Sequence, residues 1–571
     1  MIQTLELYIL ILMLLWLGFA CDQEKKPAKL PLKASEQLKA HNAQFKKEII
    51  QVTDGVYVAV GYGLANSILL EGSDGVLIVD TMESAEAARP VKEAFSRITT
   101  KPVKAIIYTH YHSDHTFGAK VMAGDDQPDI ISHETTLYYL DRIANITRDL
   151  TYLRAMRQFG VLLPRGWLIN AGIGPSLKYD KNKSIALLFP THTFSGDHLS
   201  LNMAGLKLEL YHAPGETNDQ IFVWLPEKRV LLPADNFYHS FPNLYAIRGT
   251  AYRDVMKWVA SIDKMRRLNA KYLVPGHTRP IKGAAKIQEI LTNYRDAIQF
   301  VHDQTIRLMN KGLTPREIAG QIHLPPHLAR LPYLKEFYGT VQWSVRAVFD
   351  GYMGWFGGNP TDLFPLARDI EGKKVASLVG GKDRLLEQAK SAYESGDFQW
   401  VLRLTDWLLC LEPDLVQARS LRANALKALA EQQISAPARN YYLTQSLEIQ
   451  GDLKIRKSEQ KALDIVHQIP LESIFRSMAV RLVPEKSQDV DMAVAFRFPD
   501  TGQAYTVHVR KGVADIQPVL LKDADVKVTI NSLAWKELAA GIRSPAISLF
   551  KDIKKDGSLL KLMKFFSLFE D

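Results

Sequence analysis

The stretch that decides the fold reads Ala105-Ile106-Ile107-Tyr108-Thr109-His110-Tyr111-His112-Ser113-Asp114-His115-Thr116-Phe117-Gly118. An apolar segment typical of a buried β-strand runs directly into three histidines and one aspartate. Histidine is a rare residue, and imidazole and carboxylate at this density suit Zn²⁺ or a similar borderline metal. On an extended loop His110 and His112 point to one ion, while Asp114 and His115 reach a second. The pattern predicts a metal site at the end of a strand.

The segments on both sides of this motif divide the chain into three parts. Strand-like runs alternate with helical stretches before and after the motif, which predicts an α/β layered domain over residues 46–290. Residues 291–450 have an almost entirely helical pattern, and residues 456–571 return to strands and helices typical of a small α+β domain. A chain of 571 residues is long enough for about three domains.

The motif His-x-His-x-Asp-His after a buried strand resembles the signature of the metallo-β-lactamase superfamily. This resemblance implies an αββα sandwich and three further metal ligands, one after each of three later strands. Glu216, Asp235 and His277 occupy those positions. Most members carry His where Glu216 stands, but the alkyl sulfatase branch uses Glu there. The alternatives for the three residues are a surface turn carboxylate, a helix N-cap and a plain turn histidine, respectively.

The resemblance implies two Zn²⁺ ions, or other divalent cations, that share a bridging hydroxide. Such ions lower the pKa of bound water towards about 7 and so give a nucleophile at neutral pH. We assign catalytic roles to Asp114 and Asp235. The implied ligands are His110, His112 and Glu216 in the first site, Asp114, His115 and His277 in the second, and Asp235 between the two.

A second segment, Asn243-Leu244-Tyr245-Ala246-Ile247-Arg248-Gly249, is similar to the Asn-Leu-Tyr-x-x-Arg-Gly segment of alkyl sulfatases. In that family the Arg and the Asn contact the sulfate oxygens, which implies that Arg248 and Asn243 bind the substrate. A guanidinium fork matches two oxygens of a tetrahedral oxyanion. A structural salt bridge is the alternative for Arg248. The expected reaction is metal-dependent hydrolysis of an alkyl sulfate ester to an alcohol and inorganic sulfate.

The sequence departs from the alkyl sulfatase pattern at three positions. Phe159 stands where a sulfate-contacting Tyr is usual, Glu216 is shifted by one position, and Asp235 replaces a common Glu. The departures at Phe159 and Asp235 favour, as the alternative, a hydrolase of the same fold that acts on a lactone, thioester or phosphoester. The third hypothesis is a non-catalytic lipid-binding protein with a vestigial metal site, and the complete ligand set argues against it.

The two later domains also resemble parts of alkyl sulfatases. Residues 337–341 and 352–360 are similar to segments of the alkyl sulfatase dimerisation domain, which implies a homodimer. Residues 456–571 resemble the sterol-carrier-type fold appended to these enzymes. Such folds enclose apolar tunnels, so this domain is expected to hold the alkyl chain of a substrate.

The N-terminus predicts export. Residues 1–20 contain the apolar core of a signal peptide, and their ending resembles a lipoprotein cleavage site with Cys21 as the lipidated residue. An uncleaved hydrophobic anchor is the alternative. A Lys-rich linker is expected over residues 21–45. The expected location is the periplasm or, through a lipid on Cys21, a membrane surface.

The composition excludes two classes of protein. The net charge of +9 comes from 71 basic and 62 acidic residues without a dense Lys/Arg run, so no nucleic-acid partner is expected. The only cysteines, Cys21 and Cys410, are too few and too far apart for a disulfide framework or a thiolate metal site.

Overall fold

The computed structural model describes residues 33–142, 146–179, 184–455, 463–544, 548 and 551–569. The predicted signal peptide and Cys21 lie outside these residues. Within the described ranges, no helix is both long enough and apolar enough to cross a lipid bilayer.

The metal motif follows the fifth strand of a seven-stranded sheet. The strands are β1 (Glu48–Thr53), β2 (Val56–Val60), β3 (Ser67–Glu71), β4 (Val76–Val79), β5 (Val103–Ile107), β6 (Asp129–His133) and β7 (His192–Phe194). Strands β1 to β4 form an antiparallel meander, and β4 to β7 pair in parallel. The first hairpin turns at Gly55, whose φ of +66° is a left-handed conformation that favours glycine.

A second sheet carries the three later ligand positions. Its strands are β8 (His198–Met203), β9 (Leu206–His212), β10 (Ile221–Leu225), β11 (Val230–Leu232), β12 (Tyr272–Leu273) and β13 (Ile281–Lys282). They lie in the order β13-β12-β11-β10-β9-β8, and only β11 and β12 are parallel.

The two sheets pack face to face, with helices on both outer surfaces. The helices of this part of the chain are α1 (Ala34–His41), α2 (Ala85–Ser96), α3 (Ser113–Thr116), α4 (Ala119–Ala123), α5 (Thr136–Asp141), α6 (Arg148–Gln158), α7 (Val255–Arg267) and α8 (Ala284–Met309). Buried residues such as Val58, Leu77, Leu210 and Val223 fill the space between the sheets. Helices α2 and α4 pack on the outside of the first sheet, and α7 and α8 pack on the outside of the second. The predicted αββα sandwich is therefore confirmed.

The middle of the chain is helical, as predicted. Its helices are α9 (Pro315–Ala319), α10 (Pro326–Ala329), α11 (Val341–Met353), α12 (Arg368–Leu378), α13 (Lys382–Glu394), α14 (Phe398–Leu411), α15 (Val416–Gln432) and α16 (Ala436–Gln450). Successive helices from α13 to α16 contact one another around an alanine- and leucine-rich core. Helix α8 runs without a break through residue 290, where the sequence analysis placed the end of the first domain.

The last domain is α+β. Its helices are α17 (Leu463–Gln468), α18 (Leu471–Ala479), α19 (Pro484–Ser487), α20 (Ser532–Ala539) and α21 (Leu559–Ser567), and its strands are β14 (Asp491–Arg497), β15 (Ala504–Arg510), β16 (Val513–Gln517), β17 (Val526–Thr529) and β18 (Lys554–Gly557). The strands form one sheet in the order β16-β15-β14-β17-β18. An aromatic core that includes Phe475, Phe496 and Trp535 joins the sheet to its helices.

The end of the predicted linker is folded. Residues 34–45 form α1 and a 3₁₀ turn (Asn42–Phe45) instead of a tether. Leu38 is fully buried, and the His41 ring stacks on Phe337 of the helical domain with centroids 4.1 Å apart. The linker prediction is wrong for these residues because the Lys-rich composition hides an apolar face on a short helix.

Candidate metal centre

The four residues of the sequence motif lie in the loop after β5. His110 and His112 precede α3, and Asp114 and His115 lie in its single turn. All four side chains are buried. The loop brings the His110 Nε2 and His112 Nδ1 atoms to 2.8 Å from each other, a separation at which both can bind one cation.

The three residues from the second sheet reach the same place. Asp235 lies in a 3₁₀ turn (Ala234–Asn236) directly after β11, and His277 lies in the loop after β12. Gly276 allows this close approach, because a Cβ atom there would lie 2.6 Å from Asp235 Oδ1. The His277 Nε2 atom is 3.2 Å from Asp235 Oδ2.

All seven predicted ligands therefore surround one pocket. Asp235 is central, because its Oδ2 atom lies 3.7 Å from His110 Nε2 and 3.5 Å from His115 Nε2. This is the placement expected of a carboxylate shared between two ions. Three groups of ligand atoms lie within 4.8 Å of one another: His110, His115 and Asp235; Asp114, His115 and His277; and His112, Glu216 and Asp235.

The outward nitrogen of three of the imidazoles has its own partner. His115 Nδ1 lies 2.7 Å from Asp80 Oδ2, His277 Nδ1 lies 2.8 Å from the Leu64 carbonyl oxygen, and His110 Nδ1 lies 3.0 Å from Thr109 Oγ1. Metal-binding histidines are held in this way by a second hydrogen bond that fixes the ring and its tautomer. Asp80 also accepts hydrogen bonds from the Thr109 backbone N–H and hydroxyl, so it orients both ends of the motif.

The charges in the pocket also fit cations. Burial lowers the pKa of His110 and of His112 well below the ordinary value, so both rings are neutral and each can offer a nitrogen lone pair to a cation. Burial would raise the pKa of Asp235, but the neighbouring His277, His115 and His110 hold it well below its usual range. Neither His115 Nε2 nor Asp235 Oδ1 has a hydrogen-bond partner among the described residues. Buried atoms of this kind can bind a ligand, and divalent cations match these imidazole nitrogens and carboxylate oxygens.

Glu216 lies on the far side of the pocket and is held by residues that the sequence analysis missed. Its Oε1 atom forms a buried ion pair with Arg253 Nη1 at 3.1 Å, and its Oε2 atom accepts a hydrogen bond from the Tyr238 hydroxyl at 3.0 Å. Burial raises the pKa of Glu216, and Arg253 opposes this effect. The surface turn alternative for Glu216 is wrong, because the residue is only 1% exposed.

Arg248 lies at the edge of the metal pocket. Its Nη2 atom lies 3.0 Å from His112 Nε2, and its guanidinium lies 5.8 Å from the centre of the Phe159 ring. Its backbone N–H donates to Gln158 Oε1. The Nη1 atom is enclosed and has no partner in the described part of the chain. No ion pair of Arg248 is present among these residues, so the structural salt bridge alternative has no support.

Asn243 contributes through its backbone. Its side chain is buried and is not among those that line the cavity over the metal pocket. Its backbone N–H donates to the Tyr238 hydroxyl at 2.8 Å, and its carbonyl oxygen accepts a hydrogen bond from Arg253 Nη1. These contacts place the Asn243 backbone beside the partners of Glu216, and its contact with a substrate stays a prediction.

A cavity of about 900 Å³ opens from the ligand cluster. Its polar end is formed by His112, Asp114, Glu216, Asp235 and Arg248. The remaining wall is largely apolar and comes from three parts of the chain. It includes Phe117, Leu140, Phe159, Leu177 and Leu187 from the first domain, Tyr338 from the helical domain, and Val466, Ile469 and Ile474 from the last domain.

Tyr338 is a site residue that the sequence analysis assigned elsewhere. Residues 337–341 were interpreted only as a dimerisation segment, but the Tyr338 side chain is buried and lines the cavity. Its hydroxyl accepts a long hydrogen bond from Gln158 Nε2 at 3.4 Å. The only sequence signal for this role is an aromatic residue within residues 337–341, and an aromatic residue alone does not distinguish a cavity wall from a packed core.

Three family profiles match the chain. The metallo-beta-lactamase superfamily profile covers residues 60–277, the alkyl sulfatase dimerisation profile covers residues 314–452, and the alkyl sulfatase C-terminal profile covers residues 459–571.

Curated proteins and solved structures match over most of the chain. A linear primary-alkylsulfatase from Pseudomonas sp. is 36% identical over 521 residues, which are 88% of this chain and 98% of that protein. The alkyl/aryl-sulfatase BDS1 from Saccharomyces cerevisiae is 29% identical over 94% of this chain and 83% of its own length. The structure of the stereoselective inverting sec-alkylsulfatase Pisa1 from Pseudomonas sp. superimposes with a TM-score of 0.88 at 28% identity, covering 94% of this chain and 86% of that chain.

The contact between Asp80 and His115 predicts a metal-affinity effect. Asp80→Asn replaces the carboxylate that holds His115 Nδ1 with an uncharged amide of the same shape. We expect the affinity for Zn²⁺ to fall by about 10–100-fold, because second-sphere carboxylates orient the ligand ring. Competition with a chromophoric chelator measures this affinity. Asp74→Asn, at an exposed turn, is the control and should leave the affinity unchanged; equal affinities for the two variants would contradict the role of Asp80.

A buried carboxyl behind the metal pocket predicts a pH effect on stability. Burial raises the pKa of Glu83 to about 7, although the backbone N–H groups of Lys178 and Leu64 donate to it and oppose the shift. The folded protein therefore binds this proton more tightly than the unfolded chain does. This contribution to stability is complete below about pH 4.5 and is lost as the pH rises through about 7.

Glu83→Gln removes this titration. From pH 5 to pH 8 we expect the wild type to lose of the order of 2–3 kcal/mol relative to the Gln variant. Calorimetric melting of metal-free protein across this pH range measures the difference. The exposed Glu93 on α2 supplies a matched control, Glu93→Gln, whose melting curve should track the wild type at every pH. A pH-independent gap between wild type and Glu83→Gln would show that Glu83 does not titrate in this range.

Proposed function

The chain belongs to the alkyl sulfatase branch of the metallo-β-lactamase superfamily, and we propose that it hydrolyses alkyl sulfate esters to an alcohol and inorganic sulfate. The single observation that carries this proposal is the position of Arg248. Its guanidinium stands between the ligand cluster and an apolar cavity, with Nη1 enclosed and unpaired among the described residues. An anionic head group on an apolar chain matches these surroundings.

The proposed cofactor is a pair of divalent cations, with Zn²⁺ the expected ion. By the family pattern, His110, His112 and Glu216 would hold one and Asp114, His115 and His277 the other, with Asp235 between them. The close groups His112, Glu216 and Asp235, and Asp114, His115 and His277, support this division. When bound, the ions supply Lewis acidity and a nucleophile derived from water. The chain's own contribution is the fixed donor set, whose imidazole rings are held by Asp80, Thr109 and Leu64.

Arg248 is the residue proposed to bind the sulfate group. Its Nη2 atom already contacts His112, which keeps the guanidinium at the edge of the ligand cluster. The Nη1 atom is then available for a sulfate oxygen, and two parallel N–H donors suit a tetrahedral anion. The Phe159 ring lies beside the guanidinium and offers no hydroxyl to the sulfate. Phe159 therefore orients the Arg248 guanidinium through a cation–π contact.

The apolar part of the cavity is proposed to bind the alkyl chain. Leucine, isoleucine, valine and phenylalanine side chains from the first and last domains form its wall. Each buried methylene of a ligand contributes about 0.8 kcal/mol there.

Sulfate release tests the proposed activity. Purified protein supplied with Zn²⁺ should release inorganic sulfate from dodecyl sulfate, and removal of the metal by a chelator should abolish the release until metal is restored. Arg248→Lys keeps the positive charge but loses the fork, so we expect kcat/KM for the ester to fall about 10–100-fold, the cost of about one to two charge-assisted hydrogen bonds.

Two controls make this assay decisive. His112→Ala removes a ligand and should have no activity. A panel of lactones, thioesters and phosphoesters runs beside the sulfate esters. Turnover of one of these without sulfate release would replace the alkyl sulfatase assignment with another hydrolase, and the absence of both turnover and bound metal would favour the lipid-binding hypothesis.

We also propose that the helical domain forms a homodimer. The end of α11 and the segment after it expose large apolar side chains, with Trp355 71% and Phe364 93% exposed. Trp355 lines a groove of about 1210 Å³ together with Trp343, Trp400 and Trp407. Exposed apolar surface on this scale is typical of a subunit interface.

The dimer predicts a change of mass in one variant. Wild-type protein should have twice the mass of the chain by light scattering after size-exclusion chromatography. The double variant Trp355→Glu with Phe364→Glu buries two charges in the proposed interface and should be monomeric at micromolar concentration. Val513→Glu, at a 60% exposed position in the last domain, is the matched control and should stay dimeric. A dimeric double variant would place the interface elsewhere.

Export through residues 1–20 and a lipid on Cys21 are further proposals that rest on the sequence pattern alone. They would place the enzyme in the periplasm or at a membrane surface.

A further inference from the structure

Glu216 is the one ligand position in this chain that carries a charge where most of the superfamily carries a neutral imidazole. Its side chain is 1% exposed, and the neighbouring carboxylates of Asp235 and Asp114 are also buried. A third buried carboxylate is costly unless an opposite charge or several hydrogen bonds compensate for it.

The compensation is a closed ring of four residues. Arg253 Nη1 contacts Glu216 Oε1 at 3.1 Å, and the Tyr238 hydroxyl donates to Glu216 Oε2 at 3.0 Å. The Asn243 backbone N–H donates to the Tyr238 hydroxyl, and the Asn243 carbonyl oxygen accepts a hydrogen bond from the same Arg253 Nη1. Each member is therefore held by two others, and both carboxylate oxygens are fixed.

Glu216 is the only ion-pair partner of Arg253 in the described part of the chain. The Arg253 side chain is 1% exposed, and its Nε and Nη2 atoms have no hydrogen-bond partner among those residues. It is not among the residues that line the cavity, so it does not face the substrate. A fully buried guanidinium with a single carboxylate partner is placed for that partner.

We propose that Arg253 is a positioning residue that closes this ring, orients the Glu216 carboxylate towards the metal pocket and supplies the counter-charge that a histidine at the same position would not need. The inference rests on the proposed role of Glu216 as a metal ligand. It treats Glu216 and Arg253 as a pair, so that replacing either residue alone weakens metal binding.

A double-mutant cycle tests this pairing through metal affinity. The proteins are the wild type, Arg253→Met, Glu216→His and the double variant, and Zn²⁺ affinity is measured by chelator competition with metal content by mass spectrometry. Arg253→Met alone should weaken binding, because the carboxylate loses its orientation. Glu216→His alone should also weaken binding, because a buried guanidinium then faces the cations without its carboxylate. Adding Arg253→Met to Glu216→His should restore affinity.

The deciding quantity is the ratio of the two effects of Arg253→Met. Arg253→Met changes the Zn²⁺ affinity by one factor in the wild type and by another factor in Glu216→His. We expect these two factors to differ more than about tenfold, as for residues in direct contact. A smaller ratio overturns the pairing. Arg439→Met supplies the matched control, because Arg439 is a buried arginine paired with Glu431 in the helical domain; it should leave Zn²⁺ affinity unchanged.

Two further measurements keep the outcome interpretable. Melting of the metal-free proteins shows whether a variant folds, and a purely structural Arg253 would lower the melting temperature with no effect on Zn²⁺ affinity, which would overturn the inference. Should a Met variant fail to fold, Arg253→Lys decides instead. Lysine keeps the charge but cannot reach both Glu216 and the Asn243 carbonyl, so we expect at least about threefold weaker binding, and unchanged affinity overturns the inference. Sulfate ester turnover by the wild type is scored separately, so the activity and the pairing can fail independently.

Discussion

Three carboxylates and four imidazoles face one buried pocket, and each charge there is costly unless an opposite charge lies beside it. Residues that surround the cluster provide this compensation. Asp80, Thr109 and Leu64 fix the outward nitrogens of three histidines, and Arg253 with Tyr238 fixes Glu216. The αββα sandwich serves this arrangement, since both sheets end their strands at the same edge. The first sheet provides the loop after β5, and the second provides the loops after β9, β11 and β12.

The sequence was informative where the chemistry is local or follows strand ends. Four ligands form a recognisable motif within residues 110–115, and Glu216, Asp235 and His277 each follow a recognisable strand. All seven could therefore be predicted, and the structure brings them together. The residues that hold them could not be predicted in this way. Arg253 and Tyr238 act through contacts to Glu216 across 37 and 22 positions of chain, and nothing in their own segments marks them. The backbone contacts of Asn243 with Tyr238 and Arg253 could not be predicted either, while the contact of its side chain with sulfate stays a prediction.

The domain organisation was predictable as a series of patterns, but the way the domains share one cavity was not. Helical periodicity predicts α11 to α16 without showing that Tyr338, just before α11, lines the cavity. The pattern of the last domain predicts a sheet and helices, but not that Val466, Ile469 and Ile474 line the same cavity as residues of the first domain. The Lys-rich segment before residue 46 concealed α1, whose Leu38 and His41 pack on the body. In each case a long-range contact, which leaves no periodic signal, decided the outcome.

The two ends of the cavity divide the work of an enzyme on an amphiphilic ester. The apolar wall stabilises the bound chain equally before and during reaction, so added methylenes increase affinity without lowering the barrier from the bound state. Only the polar end meets atoms whose charge changes, and there Arg248 and the ligand cluster are fixed before the substrate arrives. Variation among relatives in the apolar wall should therefore move substrate preference, while the rate of the chemical step depends on how rigidly the ring around Glu216 and the contacts of Asp80 hold the cluster. Phe159 lies next to the polar end of the cavity, because its ring faces the guanidinium of Arg248. Its side chain is apolar, however, and offers no hydrogen-bond donor to an anion.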